Sequence, residues 1–311
     1  MSALGTVACI VGPTASGKSE LADLVAEQLG SSVVSVDAMQ VYRGMDIGTA
    51  KTPPERRRRP LLMVDVASPL ESYSVQRFQG QARACVDELL ASGHVPVLCG
   101  GTGLYLNAVI DEMDFPSGKV GGALRERYER IAEEQGALAL HELLAKRDPA
   151  SAALVHPNNV RRVVRALEML DEGVSYASHH EGLHARTPHY NAIVWGLSMG
   201  RDLLYARIDA RVDAMMSEGL LEEVARLAKA GLSTKLTAGQ AIGYKELLDA
   251  LDGACSLDEA VALVKRRSRR YAKRQLSWFR HDRRVRWLDL DAISIEEACD
   301  QVVAALSGKV A

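Results

Sequence analysis

The segment Val7-Ala8-Cys9-Ile10-Val11-Gly12-Pro13-Thr14-Ala15-Ser16-Gly17-Lys18-Ser19 decides how the rest of this chain is read. An apolar run leads into a glycine-bounded turn and ends on a Lys-Ser pair. This is the spacing of a phosphate-binding P-loop: a buried strand, a tight turn, then a helix whose free N–H groups face an anion. Lys18 would neutralise phosphate charge, and the Ser19 hydroxyl would ligate Mg²⁺. The loop asks for a ligand that carries a diphosphate. It does not by itself ask for ATP.

Outward from this segment, short apolar runs alternate with helical patterns. Strands are expected at 6–11, 32–36, 61–65, 95–99 and 192–198, and helices at 18–29, 75–91 and 103–111. Apolar strands without alternation imply a parallel sheet covered on both faces. The expected class is therefore α/β, with ligands at the carboxyl ends of the strands. The alternation stops at Asp114-Phe115-Pro116-Ser117-Gly118. From about residue 119 to 186 the pattern is helical only, and Thr187-Pro188 leads back to an apolar strand. The expected organisation is a P-loop core from 1–113 and 190–311, interrupted by a helical insertion at 114–189 that folds as a lobe able to close over the site. Beyond Met199 the chain again reads as helical, with Leu203, Leu204, Ile208, Val212, Met215 and Met216 at helical spacing.

Composition narrows the class. The chain has 311 residues, 47% apolar and 25% charged, which suits a globular protein in water. Its five cysteines, Cys9, Cys85, Cys99, Cys255 and Cys299, are scattered and form no CxxC pair. That pattern fits a reducing cytosol and argues against a disulfide framework or a thiolate zinc site. No basic, apolar leader and no membrane-length apolar run is seen. The net charge of −2 conceals an asymmetry. Residues 265–286 hold eleven Lys or Arg against one Asp, a local charge of +10 in a remainder of −12. A dense basic segment with interleaved aromatics is a nucleic-acid footprint. The shorter arginine run at 56–59 reads as solvated surface.

Several residues share the sheet edge that the P-loop occupies. Asp37 follows the second expected strand and is open to three readings: metal binding, general base or helix cap. Asp65, after the third, is the rival acid. Gly100-Gly101-Thr102 follows the fourth and offers flexible backbone plus a hydroxyl.

Taken in order, GPTASGKS (12–19), SVDAMQVYRGMDIGTAK (35–51), CGGTGLYL (99–106), HPNNVRRVVRALE (156–168), RVDAMMSEGLLEEV (211–224), QAIGYKE (240–246) and YAKRQLSWFR (271–280) resemble the tRNA dimethylallyltransferase family, also called tRNA isopentenyltransferase. The matching blocks cover nearly the whole chain, and their order is more specific than a P-loop alone. The form resembled is the short bacterial one, without a zinc-finger extension. The resemblance implies a P-loop NTPase-like parallel sheet with a helical insertion and a basic helical C-terminal segment. It implies transfer of the dimethylallyl group of dimethylallyl diphosphate to the exocyclic amine of the adenosine 3′ of the anticodon, in tRNAs reading codons that begin with U.

Site residues follow from the same resemblance. Gly12, Pro13, Thr14, Ala15, Ser16, Gly17, Lys18 and Ser19, with Arg211, are implied to hold the diphosphate. Ser19 would bind Mg²⁺, with Asp37 a more distant candidate. Asp37 is implied to accept the proton, and Lys18 and Thr102 to assist. The family motif commonly has Ser where this chain has Ala38. The tRNA is implied to meet Asp37, Ala38, Met39, Gln40 and Thr102. It is also implied to meet Arg125, Arg161, Arg162, Val163, Val164 and Arg165, and then Gln240, Gly243, Tyr244 and Lys245. The last group is Lys273, Arg274, Gln275, Trp278, Phe279 and Arg280. Tyr42 is a further pocket candidate. Trp278 and Phe279 either stack on RNA or dock their own segment in the core. An adenylate isopentenyltransferase acting on free nucleotides, an ATP-dependent small-molecule kinase and a non-catalytic RNA-binding module are the rival readings. A monomer is expected.

Overall fold

The computed structural model describes residues 5–115, 122–184 and 187–308. In chain order it forms β1 (Thr6–Val11), α1 (Lys18–Gln28), β2 (Val33–Ser35), β3 (Leu61–Leu62), α2 (Val75–Ala91), β4 (Val97–Gly100) and α3 (Gly103–Ile110). Then come α4 (Ala123–Arg147), α5 (Pro149–Leu154), α6 (Val160–Asp171) and α7 (Tyr176–His184). The last part holds β5 (Asn191–Ser198), α8 (Arg201–Ser217), α9 (Leu220–Lys229), α10 (Tyr244–Leu251), α11 (Leu257–Arg280), β6 (Val285–Asp289) and α12 (Ile295–Leu306).

The chain divides into two compact units. The first comprises Met1–Tyr73, Arg77–Ile110 and Pro188–Ala311. Its six strands pair in the order β3-β2-β4-β1-β5-β6, every pair parallel. β1 is interior to the sheet because its residues are apolar on both faces. Val7, Cys9 and Val11 point into one core layer, with Phe78, Ala82 and Val86 of α2. Ala8 and Ile10 point into the other, with Leu21 and Val25 of α1 and Val302 of α12. The register pairs Val11 with Gly100 and Ser35 with Cys99, so β1, β2 and β4 end together. The chain leaves β1, lays β2 beyond the place of β4, and later fills the gap. That reversal of strand order puts the loops after β1, β2 and β4 side by side, where open α/β sheets bind ligands.

Several expected boundaries move. β3 is two residues rather than 61–65, because Met63 and Asp65 take left-handed φ values of 60° and 59° that end extended pairing. β6 lies in a stretch read as helical. Its five residues pair with β5 on one side only, and the flanking arginines mask the apolar signal of Val285 and Leu288. Leu204, Ile208 and Val212 are buried as the stripe on α8 requires, whereas Leu203 is exposed.

The second unit comprises Ser74–Gln76 and Asp111–Thr187. Its helices α4–α7 enclose their own core of Tyr128, Leu140, Leu144, Val155, Val163, Val164 and Leu167. Asp148 caps α5 by accepting from the Ser151 amide at 3.0 Å. The boundary residues 116–118 lie outside the described residues. Among the described residues no helix is long and apolar enough to cross a membrane.

Candidate active site

At the carboxyl edge of the sheet lies a cavity of about 860 Å³. Thr14, Ala15, Gly17, Lys18 and Ser19 line it from the loop after β1, while Gly12, Pro13 and Ser16 are buried beneath. Gly17 has φ 93° at the N-cap of α1, and Ala15 sits at φ 64°, a conformation costly for a residue with a Cβ. The turn is thereby forced to aim its amides and the start of α1 at one point. Lys18 Nζ donates to Pro13 O at 3.1 Å. Burial lowers the Lys18 pKa, with Arg211 adding to the effect and the acids Cys99 and Asp37 opposing it. The Cys99 thiol is pushed up to about 11 by burial and stays protonated.

The loop after β2 supplies Asp37. Its Oδ1 accepts from the amides of Met39 at 2.8 Å and Gln40 at 3.3 Å, while no donor among the described residues reaches Oδ2. The turn-capping reading and the free-acid reading are therefore both satisfied, one by each oxygen. Thr102, after β4, accepts from the Ala38 amide through Oγ1 at 3.2 Å. That bond uses backbone, so an alanine at position 38 makes it as well as a serine would. Gln40 accepts from Ser35 Oγ at 2.8 Å and donates to Thr49 O at 3.1 Å, pinning the loop that follows.

Two elements from late in the chain close the cavity. From α8, Arg207 and Arg211 line it one turn apart. Neither has a carboxylate partner among the described residues, because the acids beside them are occupied: Asp209 by Arg269 and Asp213 by Lys265. Burial lowers the Arg211 pKa, and the Arg207 charge adds to the shift. From α11, Gln275 is bonded on both sides. The Thr14 amide donates to its Oε1 at 2.8 Å, and its Nε2 donates to Gly101 O at 3.0 Å. A side chain at Gly101 would collide with that amide group. Tyr271 lines the cavity one turn earlier, its phenol pushed up to about 12 by burial and by the Asp37 charge. Arg274 stacks on the Tyr271 ring at 5.6 Å.

Of the residues singled out from sequence, the cavity brings together Thr14, Ala15, Gly17, Lys18, Ser19, Asp37, Ala38, Met39, Gln40, Thr102, Arg211, Gln240, Gly243, Arg274 and Gln275. The others lie elsewhere. Phe279 is 2% exposed and belongs to the core, while Trp278, next to it on α11, is 45% exposed with its indole against Gly103. Tyr244 and Tyr42 are buried core residues, and Tyr244 donates to Glu223 at 2.5 Å. Glu223 also accepts from the Asp46 and Ile47 amides at 2.9 and 3.0 Å, which makes it a buried anchor for the 46–48 loop. Lys245 pairs with Asp249 at 2.9 Å and lies away from the cavity lining. Asp65 is no rival acid: it pairs with buried Lys51 at 2.6 Å, off the cavity. The run at 56–59 is not plain surface, because Arg56, Arg57 and Arg58 line the cavity. Lys273 and Arg280 are exposed on α11.

In the second unit, Arg161 and Arg162 are exposed on α6 with no ion pair among the described residues. Val163 and Val164 are buried in that unit's core and offer no polar or charged surface. Arg125 is neutralised by Glu168, through two bonds of 3.0 Å, and Arg165 lies 3.8 Å from the same carboxylate. Sequence reasoning missed Arg207, Tyr271 and Glu223. A signal existed for Arg207, which stands four residues before Arg211 and so on the same helix face.

The donor chemistry of the cavity suits a hard cation. Among the described residues no group of three or more His, Cys, Asp or Glu side chains gathers to hold a metal. The Ser19 hydroxyl stands in the lining beside the phosphate loop, a donor that fits a cation shared with a bound phosphate.

Comparisons agree over nearly the whole chain. The IPP transferase family model matches residues 40–282, and an isopentenyl transferase model matches residues 5–58. A tRNA dimethylallyltransferase of Carboxydothermus hydrogenoformans is 44% identical over 296 residues, 94% of this chain and 95% of that one. The crystal structure of a full-length tRNA isopentenylpyrophosphate transferase from Bacillus halodurans is 42% identical, with a TM-score of 0.73 over 98% of this chain and 96% of that one. The structure of a eukaryotic dimethylallyltransferase acting on tRNA is 25% identical, with a TM-score of 0.79 over 98% of this chain and 80% of that one. With its P-loop, its Asp37–Thr102 corner and its arginine-bearing α8 on one sheet edge, the chain belongs to the IPP transferase family.

Proposed function

We propose that this chain transfers the dimethylallyl group of dimethylallyl diphosphate to the exocyclic amine of an adenosine in tRNA and releases diphosphate. The adenosine is the one 3′-adjacent to the anticodon, in tRNAs that read codons beginning with U. The observation that carries the proposal is a single cavity with an anion cradle and an uncommitted carboxylate. Lys18 of the P-loop and Arg207 and Arg211 of α8 line it together, and Asp37 keeps one oxygen open.

An allylic carbon leaves diphosphate readily when the departing charge is held. The loop amides, Lys18, Arg207 and Arg211 perform that holding. The Ser19 hydroxyl would hold Mg²⁺, which when bound neutralises diphosphate charge. The adenine amine is a poor nucleophile and a very weak acid. It does not ionise first; Asp37 Oδ2 accepts its proton as the N–C bond forms. Thr102 fixes the Ala38 backbone and with it the direction of the Asp37 carboxylate.

An adenosine in an anticodon loop leaves its stack to reach such a cavity. Arg161 and Arg162 of the second unit, and Lys273, Arg274 and Arg280 of the first, carry exposed positive charge suited to RNA phosphates. The names of the relatives support tRNA as the acceptor. The protein acts as a monomer in the cytosol, where its free cysteines stay reduced.

The test is incubation with radiolabelled dimethylallyl diphosphate, Mg²⁺ and either unmodified tRNA or AMP. Label in tRNA is expected. Label in AMP but not in tRNA overturns the reading in favour of a free-nucleotide enzyme, and phosphate transfer from ATP favours a kinase.

A further inference from the structure

We propose that the ring of Tyr271 is the surface on which the allylic carbons of the prenyl donor rest as the diphosphate departs. This rests on the transfer reaction above and adds a residue placed between its two ends. α11 presents Val264, Ser268, Tyr271 and Gln275 to the cavity, a single helical face. One end of that face is fixed, since Gln275 is bonded to the Thr14 amide of the P-loop and to Gly101 O. One turn earlier, Tyr271 stands beside Thr102, whose hydroxyl holds the amide of Ala38 next to Asp37. The ring therefore lies between the loop that takes the leaving group and the carboxylate that takes the proton.

Among the described residues that line the cavity, Tyr271 is the one aromatic side chain. Ile208, Val212, Met215 and Val264 supply apolar wall. The chemistry of the step asks for such a place. The C1–O bond of dimethylallyl diphosphate breaks, and its electron pair goes to the diphosphate oxygen. The adenine N6 lone pair forms the new N–C1 bond, and one N6 proton passes to Asp37. Between breaking and making, positive charge is shared by C1 and C3 of the allyl group. The ring face opposite the Arg274 guanidinium attracts that charge without offering a lone pair that would capture it, as water would. The phenol is held protonated by burial and by the neighbouring Asp37 charge, so it does not become a phenolate that would trap the cation.

The experiment compares the full-length protein with Tyr271→Phe and two ringless variants, Tyr271→Leu and Tyr271→Met. Calorimetry measures binding of inorganic diphosphate and of the unreactive analogue in which sulfur replaces the bridging oxygen of dimethylallyl diphosphate, both with Mg²⁺. Single-turnover transfer to an unmodified tRNA transcript is measured at saturating tRNA. Tyr271→Phe is expected to transfer within about threefold of the parent rate, and the ringless variants about tenfold slower, the range of a desolvated cation–π interaction. Diphosphate affinity is expected to stay unchanged throughout. Equal slowing of the Phe and ringless variants overturns the proposal, because the hydroxyl would then be the part that matters. An unchanged single-turnover rate with weakened tRNA binding also overturns it, placing the acceptor base on the ring. A parent protein that binds the analogue no more tightly than diphosphate sinks the prenyl-donor reading itself, which is a separate outcome.

Discussion

Asp37 Oδ1 accepts from the Met39 amide at 2.8 Å, and this bond occupies one oxygen of the carboxylate while the other stays open. The two oxygens are separable by substitution. Asp37→Asn retains an acceptor for the Met39 and Gln40 amides and removes the proton acceptor. Transfer is expected to fall by about 10²–10⁴-fold, the range of a lost general base. The tRNA dissociation constant, read by filter binding, should move less than about threefold, on the principle that an interaction made only in the transition state leaves ground-state binding in place. Equal losses in rate and affinity would assign Asp37 to binding.

Gln275 joins the P-loop to the turn after β4. Gln275→Leu keeps the bulk and removes both bonds, leaving the Gly101 carbonyl without this donor. A loss of about 1–3 kcal/mol in transition-state stabilisation is expected, seen as a fall in kcat. Lys273→Ala, two residues away and exposed, should leave kcat unchanged at saturating tRNA. Matching effects from the two variants would mean that α11 acts only by touching RNA.

The burial-lowered pKa of Lys18 sets a pH dependence. The lysine is charged below its pKa and neutral above it, so lowering the pKa moves the loss of charge toward neutrality. The affinity of the free enzyme for inorganic diphosphate should decline as pH rises, below the ordinary lysine value of about 10.4. Lys18→Arg stays charged throughout, so the parent's affinity relative to that of Lys18→Arg should fall as pH rises over the same interval. Calorimetric titration of both proteins at several pH values decides it, and parallel profiles in the two would locate the titration elsewhere.

On α6, Arg161 and Arg162 have no ion pair among the described residues, whereas Arg125 is spoken for by Glu168. Removing Arg161 and Arg162 together should reduce the salt slope of tRNA binding by about one for each phosphate that is no longer neutralised. Arg125→Ala leaves Glu168 buried without that partner and should lower the melting temperature while the slope stays near the parent value. A changed slope for Arg125→Ala alone would reverse the assignment.

The parts of the site legible in sequence are those made by local chain. Residues 6–19 specify strand, turn and helix start within one short stretch, and Asp37 follows its strand closely. What stayed hidden depends on partners far along the chain. Gln275 reads as one more polar residue in a basic helix until α11 is laid against Thr14. Trp278 and Phe279 are neighbours in sequence but point about 100° apart on a helix, so one faces solvent and the other the core. Asp65 looked like a strand-end acid, yet a left-handed φ and the ammonium of Lys51 turn it aside. β6 was masked because two of its five residues, Arg286 and Asp289, are charged and exposed at the sheet edge.

The bond between Thr14 and Gln275 spans 261 residues, which gives the site a place in the timing of synthesis. The P-loop leaves the ribosome early, and at about 5–20 residues per second its clamp follows many seconds later. During that interval a nascent chain owns a phosphate loop without α8 or α11 beside it. It lacks Arg207, Arg211 and the Tyr271 wall, so an allylic diphosphate that reached it would meet water and little restraint. Competence therefore arrives late, when helices near the far end of the chain dock on the loop near its start.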